Sequence, residues 1–139
     1  MDTLSTDPTC RSVFGEVQLI ADEPVDGRPG RSTATVHLGA DEPAFDGHYP
    51  GFPILPGVCL IECAHRTAVA SALASALPVP RLDEVEAARF FDPVFPGDTV
   101  TVEVEWEPAG DRWRCRAALR SERGPSARVR LAYEWQEQA

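Results

Sequence analysis

The sequence predicts an α+β fold in which a curved antiparallel β-sheet wraps around one long central α-helix. The segment from Val58 to Leu77 is apolar or small on nearly every side, so a helix formed by it must be covered by another layer. The C-terminal half alternates apolar and polar residues with a period of two, which is typical of half-buried strands. Such strands form a sheet with one apolar face, and that face can cover the helix.

The length and composition fit one folded unit. A chain of 139 residues is long enough for one hydrophobic core and too short for two of ordinary size. Apolar residues make up 43% and charged residues 25%, which is typical of globular chains and argues against a disordered or fibrous one. We therefore expect a single domain over residues 1–139, with residues 1–10 as a loose N-terminal tail.

The N-terminal part is predicted to contain two strands and a rigid loop. Residues 11–20 and 33–38 have the alternating and β-branched character of strands. The segment 22–32 between them is rich in proline and glycine, which predicts a turn or loop. The segment 45–57 contains three prolines, which forbid a regular helix and stiffen the backbone.

The central helix is predicted to run from Gly57 to Leu77, because Pro78 cannot continue it. Three amphipathic strands follow, and turns at 108–110 and 124–125 would join them into an antiparallel meander. The apolar faces of these strands are formed by Val100, Val102, Val104 and Trp106, by Trp113, Cys115, Ala117 and Leu119, and by Val129, Leu131, Tyr133 and Trp135.

The polar faces of the meander strands carry charges of both signs. They would place Glu103 and Glu105 near Arg114 and Arg116. We interpret these charges mainly as solvated cross-strand pairs, each of which contributes little to stability. A dedicated surface for a partner is the alternative interpretation.

The charge balance excludes some classes of partner. The net charge is −9, from 13 basic and 22 acidic residues, and every basic residue is arginine. A general binder of nucleic acids or anionic membranes needs clustered positive charge, so neither class is expected. The apolar segment 58–77 contains Glu62, His65 and Arg66, which makes it a poor membrane span.

The cysteines indicate a reducing compartment. Cys10, Cys59, Cys63 and Cys115 form no CxxC pair and no even framework of spacings, so we expect a cytoplasmic protein. Cys59, Cys63 and His65 resemble half of a metal site, but no second pair of ligands would complete it, and no metal is expected.

Three residues around the predicted start of the helix are candidates for chemistry: His48, Gly57 and Glu62. Each also has an ordinary structural explanation. A lone histidine in a loop is usually a surface residue, and Glu62 can pair with Arg66 one turn later on the helix.

Taken together, the three residues can remove a proton next to a carbonyl and expel a β-hydroxyl. His48 has an ordinary pKa of about 6.5 and can accept a proton at neutral pH. Apolar surroundings would raise the pKa of Glu62, which could then give a proton to the departing hydroxyl. No side chain that usually caps a helix precedes Gly57, so the first N–H groups are available to a thioester carbonyl.

Two motifs carry a resemblance to a known family. Residues 47–58 read GHYPGFPILPGV and lead to Glu62, and this stretch resembles the signature of the bacterial (3R)-3-hydroxyacyl-acyl-carrier-protein dehydratases of the FabZ/FabA type. Residues 89–98 read RFFDPVFPGD and resemble the downstream motif of that family. The resemblance covers most of the chain from about residue 11 onward and implies the hotdog fold.

The resemblance implies a role for each candidate residue. His48 matches the catalytic histidine, Glu62 matches the catalytic acid of the FabZ branch, and the Gly57 amide matches the donor to the thioester carbonyl. Phe90 and Phe91 match a region near the acyl tunnel. The substrate-binding candidates are therefore Tyr49, Pro56, Val58, Arg66, Phe90 and Phe91.

Two positions depart from the family pattern. Arg66 stands where the family usually has glutamine, and Tyr49 replaces the phenylalanine of the usual His-Phe-Pro. A cation near Glu62 would favour its ionised form and weaken it as a proton donor, unless Arg66 binds a polar substrate group or points away. Specialisation for a polyketide or polyene intermediate is therefore an alternative to a fatty acyl chain.

The resemblance also implies partners. The substrate would be carried on the phosphopantetheine arm of an acyl carrier protein, with no metal or organic cofactor. The active site would lie at a subunit interface, where the histidine of one subunit works with the acid of the other. This interface would belong to a homodimer, a higher oligomer or a heterodimer with a related chain.

Carrier proteins are typically acidic, so a basic patch is needed to bind one. Arg81 and Arg89, or the strand from Arg112 to Arg116, are the candidates for that patch. The sequence is also compatible with two other functions. They are a hotdog acyl thioesterase, in which Glu62 activates water, and a non-catalytic partner subunit of a heteromeric dehydratase.

Overall fold

The structure is a computed structural model, and it describes residues 13–45 and 54–135. In these ranges the elements follow in the order β1 (Val17–Val25), β2 (Arg28–His37), a short 3-10 helix (Pro43–Phe45), α1 (Gly57–Ala74), β3 (Arg81–Phe90), β4 (Thr99–Ala109), β5 (Arg112–Ser121) and β6 (Gly124–Glu134). The predicted tail at 1–10 and most of the predicted loop at 45–57 lie outside the described residues.

The six strands form one antiparallel sheet with the order β1-β2-β4-β5-β6-β3, and α1 packs against its inner face. The period of two is confirmed in β4, where Val100, Val102, Val104 and Trp106 are all buried. They face Leu60 and other apolar residues of the helix across one hydrophobic core. The predicted class, an α+β hotdog fold with a curved sheet around one helix, is therefore confirmed.

The cover over the helix is incomplete within this chain. Val58 is 65% exposed and Leu73 is 51% exposed, although a helix apolar on nearly every side was expected to be wrapped all round. The sheet buries the opposite side of the helix, including Cys63, Ala64 and Ala68. One flank of α1 thus presents apolar side chains outside the sheet.

Polar contacts fix the helix on the sheet. The Oγ atom of Ser71 lies 2.7 Å from the Oγ of Ser32 and accepts a hydrogen bond of 3.2 Å from Nε1 of Trp106. Six residues earlier, Nδ1 of His65 lies 2.8 Å from the hydroxyl of Tyr133. Because buried polar groups need partners, these contacts specify one position of α1 along the sheet.

The prediction of a loop at 22–32 is wrong, since β1 and β2 form a hairpin that includes most of these residues. Only Asp26 and Gly27 form the turn, and both have positive φ, 52° and 73°. An Asp-Gly pair favours this two-residue turn, and that signal could have revealed the hairpin. Pro24 is tolerated because β1 is an edge strand.

The end of the helix and the strand after it also differ from the prediction. The helix ends at Ala74, three residues before Leu77, because the chain closes a turn through Ala76 with a φ of 59°. Strand β3, Arg81–Phe90, was not predicted. None of its residues is buried, so its sequence lacks the alternation that identified the other strands.

The meander of β4, β5 and β6 is confirmed, with its turns shifted. The turns lie at Gly110–Asp111 and Glu122–Arg123, while 124–125 belongs to β6. The predicted Glu–Arg proximity on the outer face is confirmed for Glu105, which lies opposite Arg116 across β4 and β5, while the ion pairs there have other partners. Arg120 pairs with Glu103 at 3.2 Å, and Arg114 pairs with Glu107 at 3.1 Å.

No helix within 13–45 and 54–135 combines the length and apolar character needed to cross a membrane.

Candidate active site

The predicted site residues fall into two groups. His48 and Tyr49 lie outside the described residues, so their roles stay predictions. The other candidates lie at two neighbouring places. Pro56, Gly57, Val58, Glu62 and Arg66 belong to the start of α1, and Phe90 and Phe91 lie at the end of β3.

The start of α1 has no side-chain cap among the described residues. Pro56 is the N-cap residue in an extended conformation, with φ −62° and ψ 147°, and no side chain accepts from the first turn. The carbonyl of Pro56 accepts a hydrogen bond of 3.0 Å from the amide of Cys59. The helix therefore presents the positive end of its dipole at Gly57, as the sequence predicts.

Phe90 lies directly on Gly57. A Cβ atom built at Gly57 would come within 2.8 Å of Cζ and 3.0 Å of Cε1 and Cε2 of the Phe90 ring. Glycine is therefore what allows the aromatic ring to lie against the backbone of the helix start. This contact brings the two sequence motifs together, and the ring is still 48% exposed.

We expect Gly57→Ala to reduce the free energy of unfolding by about 1 kcal/mol more in the wild-type protein than in the Phe90→Ala variant. The added methyl group must displace the ring in the first background and meets no ring in the second. Free energies of unfolding of both single variants and the double variant measure this coupling. The matched control is Gly57→Ala in Phe91→Ala, where the two effects should add; additivity with Phe90→Ala would disprove the contact.

The Glu62 side chain is largely buried at 13% exposure, yet its surroundings are partly polar. Its Oε2 atom accepts a hydrogen bond of 3.4 Å from the amide of Val13 and lies 3.5 Å from Nη1 of Arg66. The apolar surroundings expected from Cys59, Leu60, Ile61 and Cys63 are thus incomplete. The structure adds a main-chain donor and a cation to the site.

Arg66 does not point away from Glu62. Its side chain is 9% exposed, and it donates 3.0 Å and 2.7 Å hydrogen bonds to the carbonyls of Val13 and Gly15. Its guanidinium thus binds the chain that leads into β1. A contact between Arg66 and substrate stays a prediction.

Glu42 completes this arrangement, and no motif or spacing in the sequence singles it out. Its carboxylate is buried and accepts hydrogen bonds of 2.8 Å from the amide of Phe14 and 2.6 Å from the amide of Gly15. We call Glu42, Glu62 and Arg66, together with residues 13–15, the N-terminal clamp. Apart from the pair of Glu62 and Arg66, its contacts join residues 27 to 53 positions apart, so no local pattern reveals them.

The second motif is joined to the first by the main chain. The amide of Leu55 donates a 2.9 Å hydrogen bond to the carbonyl of Val94. Gly97 has a φ of 90° and donates through its amide to the carbonyl of Leu38 at 2.7 Å. The motif therefore builds the turn that supports the entry to α1.

Asp98 closes this turn. Its carboxylate accepts hydrogen bonds from the amide of Phe95 at 3.0 Å and from Nε of Arg123 at 3.0 Å. Burial by itself disfavours the charged form of Asp98, but the bonds from Arg123 and Phe95 together outweigh it and lower the pKa of the carboxyl.

Because the pKa of Asp98 is lower in the folded state than in the unfolded chain, its contribution to stability is present above the unfolded value of about 3.9. That contribution is lost as the pH falls through the folded-state pKa. We expect the free energy of unfolding of Asp98→Asn to depend less on pH in this acid range than that of the wild type. Arg123→Met should show the same flattening, whereas parallel curves for all three proteins would contradict the assignment.

Cys59, Cys63 and His65, which resemble half of a metal site in the sequence, are buried in the core. Burial raises the pKa of the Cys63 thiol to about 12, which keeps it protonated, and His65 stacks on Tyr133 with ring centroids 5.7 Å apart. Within the described parts of the chain, no group of three potential ligands has a metal-binding arrangement. The expectation that no metal binds stays a prediction.

Comparison with known proteins identifies relatives over most of the fold. The family model described as ApeI-like, ApeI dehydratase, matches residues 26–128. A 3-hydroxyacyl-acyl-carrier-protein dehydratase FabZ from Symbiobacterium thermophilum is 42% identical over 91 residues, which are 63% of this chain and 64% of that protein. A FabZ from Thermus thermophilus is 38% identical over 92 residues, with the same shares. The chain thus spans less than two thirds of the length of these curated relatives.

Solved structures show the same fold at low identity. The dehydratase heterocomplex ApeI:P from Xenorhabdus doucetiae superposes with a TM-score of 0.63 and 20% identity, over 85% of this chain and 97% of that one. A hypothetical thioesterase protein with coenzyme A from Streptococcus pneumoniae gives a TM-score of 0.71 at 12% identity, over 92% of this chain and 94% of that one. The family model, in contrast, matches on sequence and covers well over half of the chain. The protein therefore belongs to the ApeI-like dehydratase family.

Proposed function

We propose that the protein catalyses the reversible dehydration of a 3-hydroxyacyl thioester, carried by an acyl carrier protein, to the trans-2-enoyl thioester. The observation that carries this proposal is the largely buried Glu62, five residues beyond the uncapped helix start at Gly57, in a chain of a dehydratase family. The names of the FabZ relatives support the acyl carrier protein as the carrier of the substrate.

The proposed reaction needs one base, one acid and one donor to the carbonyl. His48 takes a proton from the carbon next to the thioester carbonyl, and the Gly57 amide donates to the carbonyl oxygen as negative charge develops there. The C–O bond at the β-carbon breaks, and Glu62 gives its proton to the departing hydroxyl, which leaves as water. Because Arg66 lies 3.5 Å from Glu62, we also propose that Arg66 binds a polar group of the substrate during this step. The electron pair of the broken C–H bond becomes the new double bond, so no metal or organic cofactor takes part.

Apolar surface at the helix start supports a subunit interface at this site. Val58 is 65% exposed, and Phe90 and Phe91 are 48% and 46% exposed. Large apolar side chains clustered at a surface are typical of interaction sites. We propose that a second subunit covers them and that its histidine works with Glu62 of this chain.

The second subunit is a copy of this chain or a related one. A heterodimer gains support from the dehydratase heterocomplex ApeI:P, which has the same fold. We also propose that the acyl chain belongs to fatty-acid or polyketide/polyene synthesis, and that the reaction takes place in the cytoplasm.

The test is to incubate the purified protein with a 3-hydroxyacyl thioester of a carrier protein and follow the acyl group by mass spectrometry. Loss of one water, strongly reduced in His48→Ala, is the expected result. Release of the free acid would favour the thioesterase alternative, in which Glu62 activates water. Activity only after a related chain is added would favour the heteromeric alternative, and no change in either mixture would overturn the proposal.

A further inference from the structure

The outer face of the sheet, opposite to α1, carries a groove of about 690 Å³. Residues of five strands line it, and they include five arginines, small or apolar residues, and the two glutamates Glu103 and Glu105 on β4, so that positive charge is in excess. The basic groove is defined by Arg116 on β5, Arg128 and Arg130 on β6, and Arg89 on β3, with Ala118 and Ala87 between them.

The register of the strands places these arginines directly opposite one another. Arg116 faces Arg130 across β5 and β6, and Arg128 faces Arg89 across β6 and β3. Like charges in directly opposite positions destabilise a sheet. Two such pairs lie side by side in a chain of net charge −9, and Glu105, which lies opposite Arg116 on β4, compensates only one of them.

Two of the four arginines have no ionic partner among the described carboxylates. Arg116 lies 3.4 Å from Glu107 and Arg130 lies 3.3 Å from Glu86, but no described acidic side chain lies within 4.0 Å of Arg89 or Arg128. The guanidinium of Arg89 lies 5.8 Å from the ring centroid of Phe91. The basic groove thus keeps positive charge that an anionic partner can neutralise.

The other arginines that the sequence suggests for binding the carrier protein form ion pairs within the chain. Arg81 pairs with Glu134, and Arg112 pairs with Asp83 at 2.7 Å and Glu84 at 3.1 Å. Arg114 pairs with Glu86 at 2.8 Å and with Glu107 at 3.1 Å. Of the sequence candidates, Arg89 has no ionic partner among the described residues, and Arg116 has a single one, Glu107 at 3.4 Å.

The basic groove is also next to the candidate active site. Arg89 immediately precedes Phe90, whose ring lies on Gly57 at the start of α1. A partner held in the groove would therefore lie beside the edge of the sheet where a thioester must reach the helix start.

We propose that the basic groove is the docking surface for an acidic face of the acyl carrier protein. This inference rests on the proposed function for the identity of the partner. The charge of the groove complements an acidic protein, and its position lets the carrier deliver the acyl group to the site beside Phe90.

The test compares two double charge reversals of equal size. Arg89→Glu with Arg128→Glu alters the groove, and Arg81→Glu with Arg120→Glu alters two exposed arginines on β3 and β5 that do not line it. We expect the groove reversal to weaken binding of the holo-carrier, followed by fluorescence anisotropy, by about tenfold or more. The control reversal should change it less than about twofold, and added salt should weaken wild-type binding more than groove-variant binding.

Kinetics separate docking from chemistry. With carrier-bound substrate, the groove reversal should raise KM by a factor similar to the loss of affinity, while a short pantetheine thioester shows no such rise. Equal effects of the two reversals on binding, or equal effects on both substrates, would overturn the docking surface. A wild-type protein that binds the carrier through the groove but dehydrates neither substrate would overturn the proposed function and leave the docking surface standing.

Discussion

Glu62→Gln is expected to lower kcat for dehydration by about a hundredfold to ten-thousandfold, the usual contribution of a general acid or base. The amide has the shape of the carboxyl group but cannot give a proton to the departing hydroxyl. Its oxygen can still accept from the Val13 amide and its position beside Arg66 is kept, so the fold should persist. The measurement is single-turnover dehydration of carrier-bound substrate, with thermal unfolding as the check on folding.

The matched control is Glu84→Gln, which makes the same chemical change on a side chain that is 54% exposed on β3. It should retain wild-type kcat. His48→Ala should cause a loss comparable to that of Glu62→Gln, and the double variant should lose little more than either single one, because residues that act as a unit are not additive. A Glu62→Gln enzyme with wild-type kcat would remove Glu62 from the mechanism.

Arg66→Met is expected to lower the free energy of unfolding by about 2–4 kcal/mol. The guanidinium is 9% exposed and binds the carbonyls of Val13 and Gly15 as well as Glu62. Methionine fills a similar volume but leaves a largely buried carboxylate and two carbonyls without this donor. Urea denaturation of both proteins gives the difference directly.

Arg31→Met is the matched control for this loss. Arg31 also pairs with a glutamate, Glu105 at 3.2 Å, but its side chain is 60% exposed and water replaces the contact. Its removal should cost less than about 1 kcal/mol. Similar losses from Arg31→Met and Arg66→Met would show that Arg66 does not hold the N-terminal clamp.

The sheet was predictable where burial alternates and unpredictable where it does not. Strands β4, β5 and β6 have one face in the core, so their apolar residues recur at every second position. Strand β3 is an edge strand rich in glutamate, alanine and arginine, and it exists because β6 pairs with it. Such pairing is a long-range property that overrides local preference.

The residues of the candidate site were also predictable from the sequence only in part. Gly57, Glu62 and Phe90 belong to contiguous motifs, so the resemblance identified them as candidates, and the structure places Phe90 on Gly57. Glu42 and the chain at 13–15 reach Glu62 and Arg66 only through the tertiary fold. The sequence identified Arg66 as a departure from the family but not the main-chain carbonyls it binds.

In the N-terminal clamp, the side chains of Glu42, Glu62 and Arg66 bind main-chain amides and carbonyls of residues 13–15 and not their side chains. Positions 13 and 14 can accept most substitutions as far as the clamp is concerned, but proline at either would delete an amide that a carboxylate binds. Position 15 is different, since a Cβ atom there would lie 2.3 Å from the carbonyl oxygen of His37. We expect orthologues that keep the glutamate–arginine set to vary freely at position 14, which is 53% exposed, to keep an apolar residue at position 13, which is fully buried in the core, and to retain glycine at position 15.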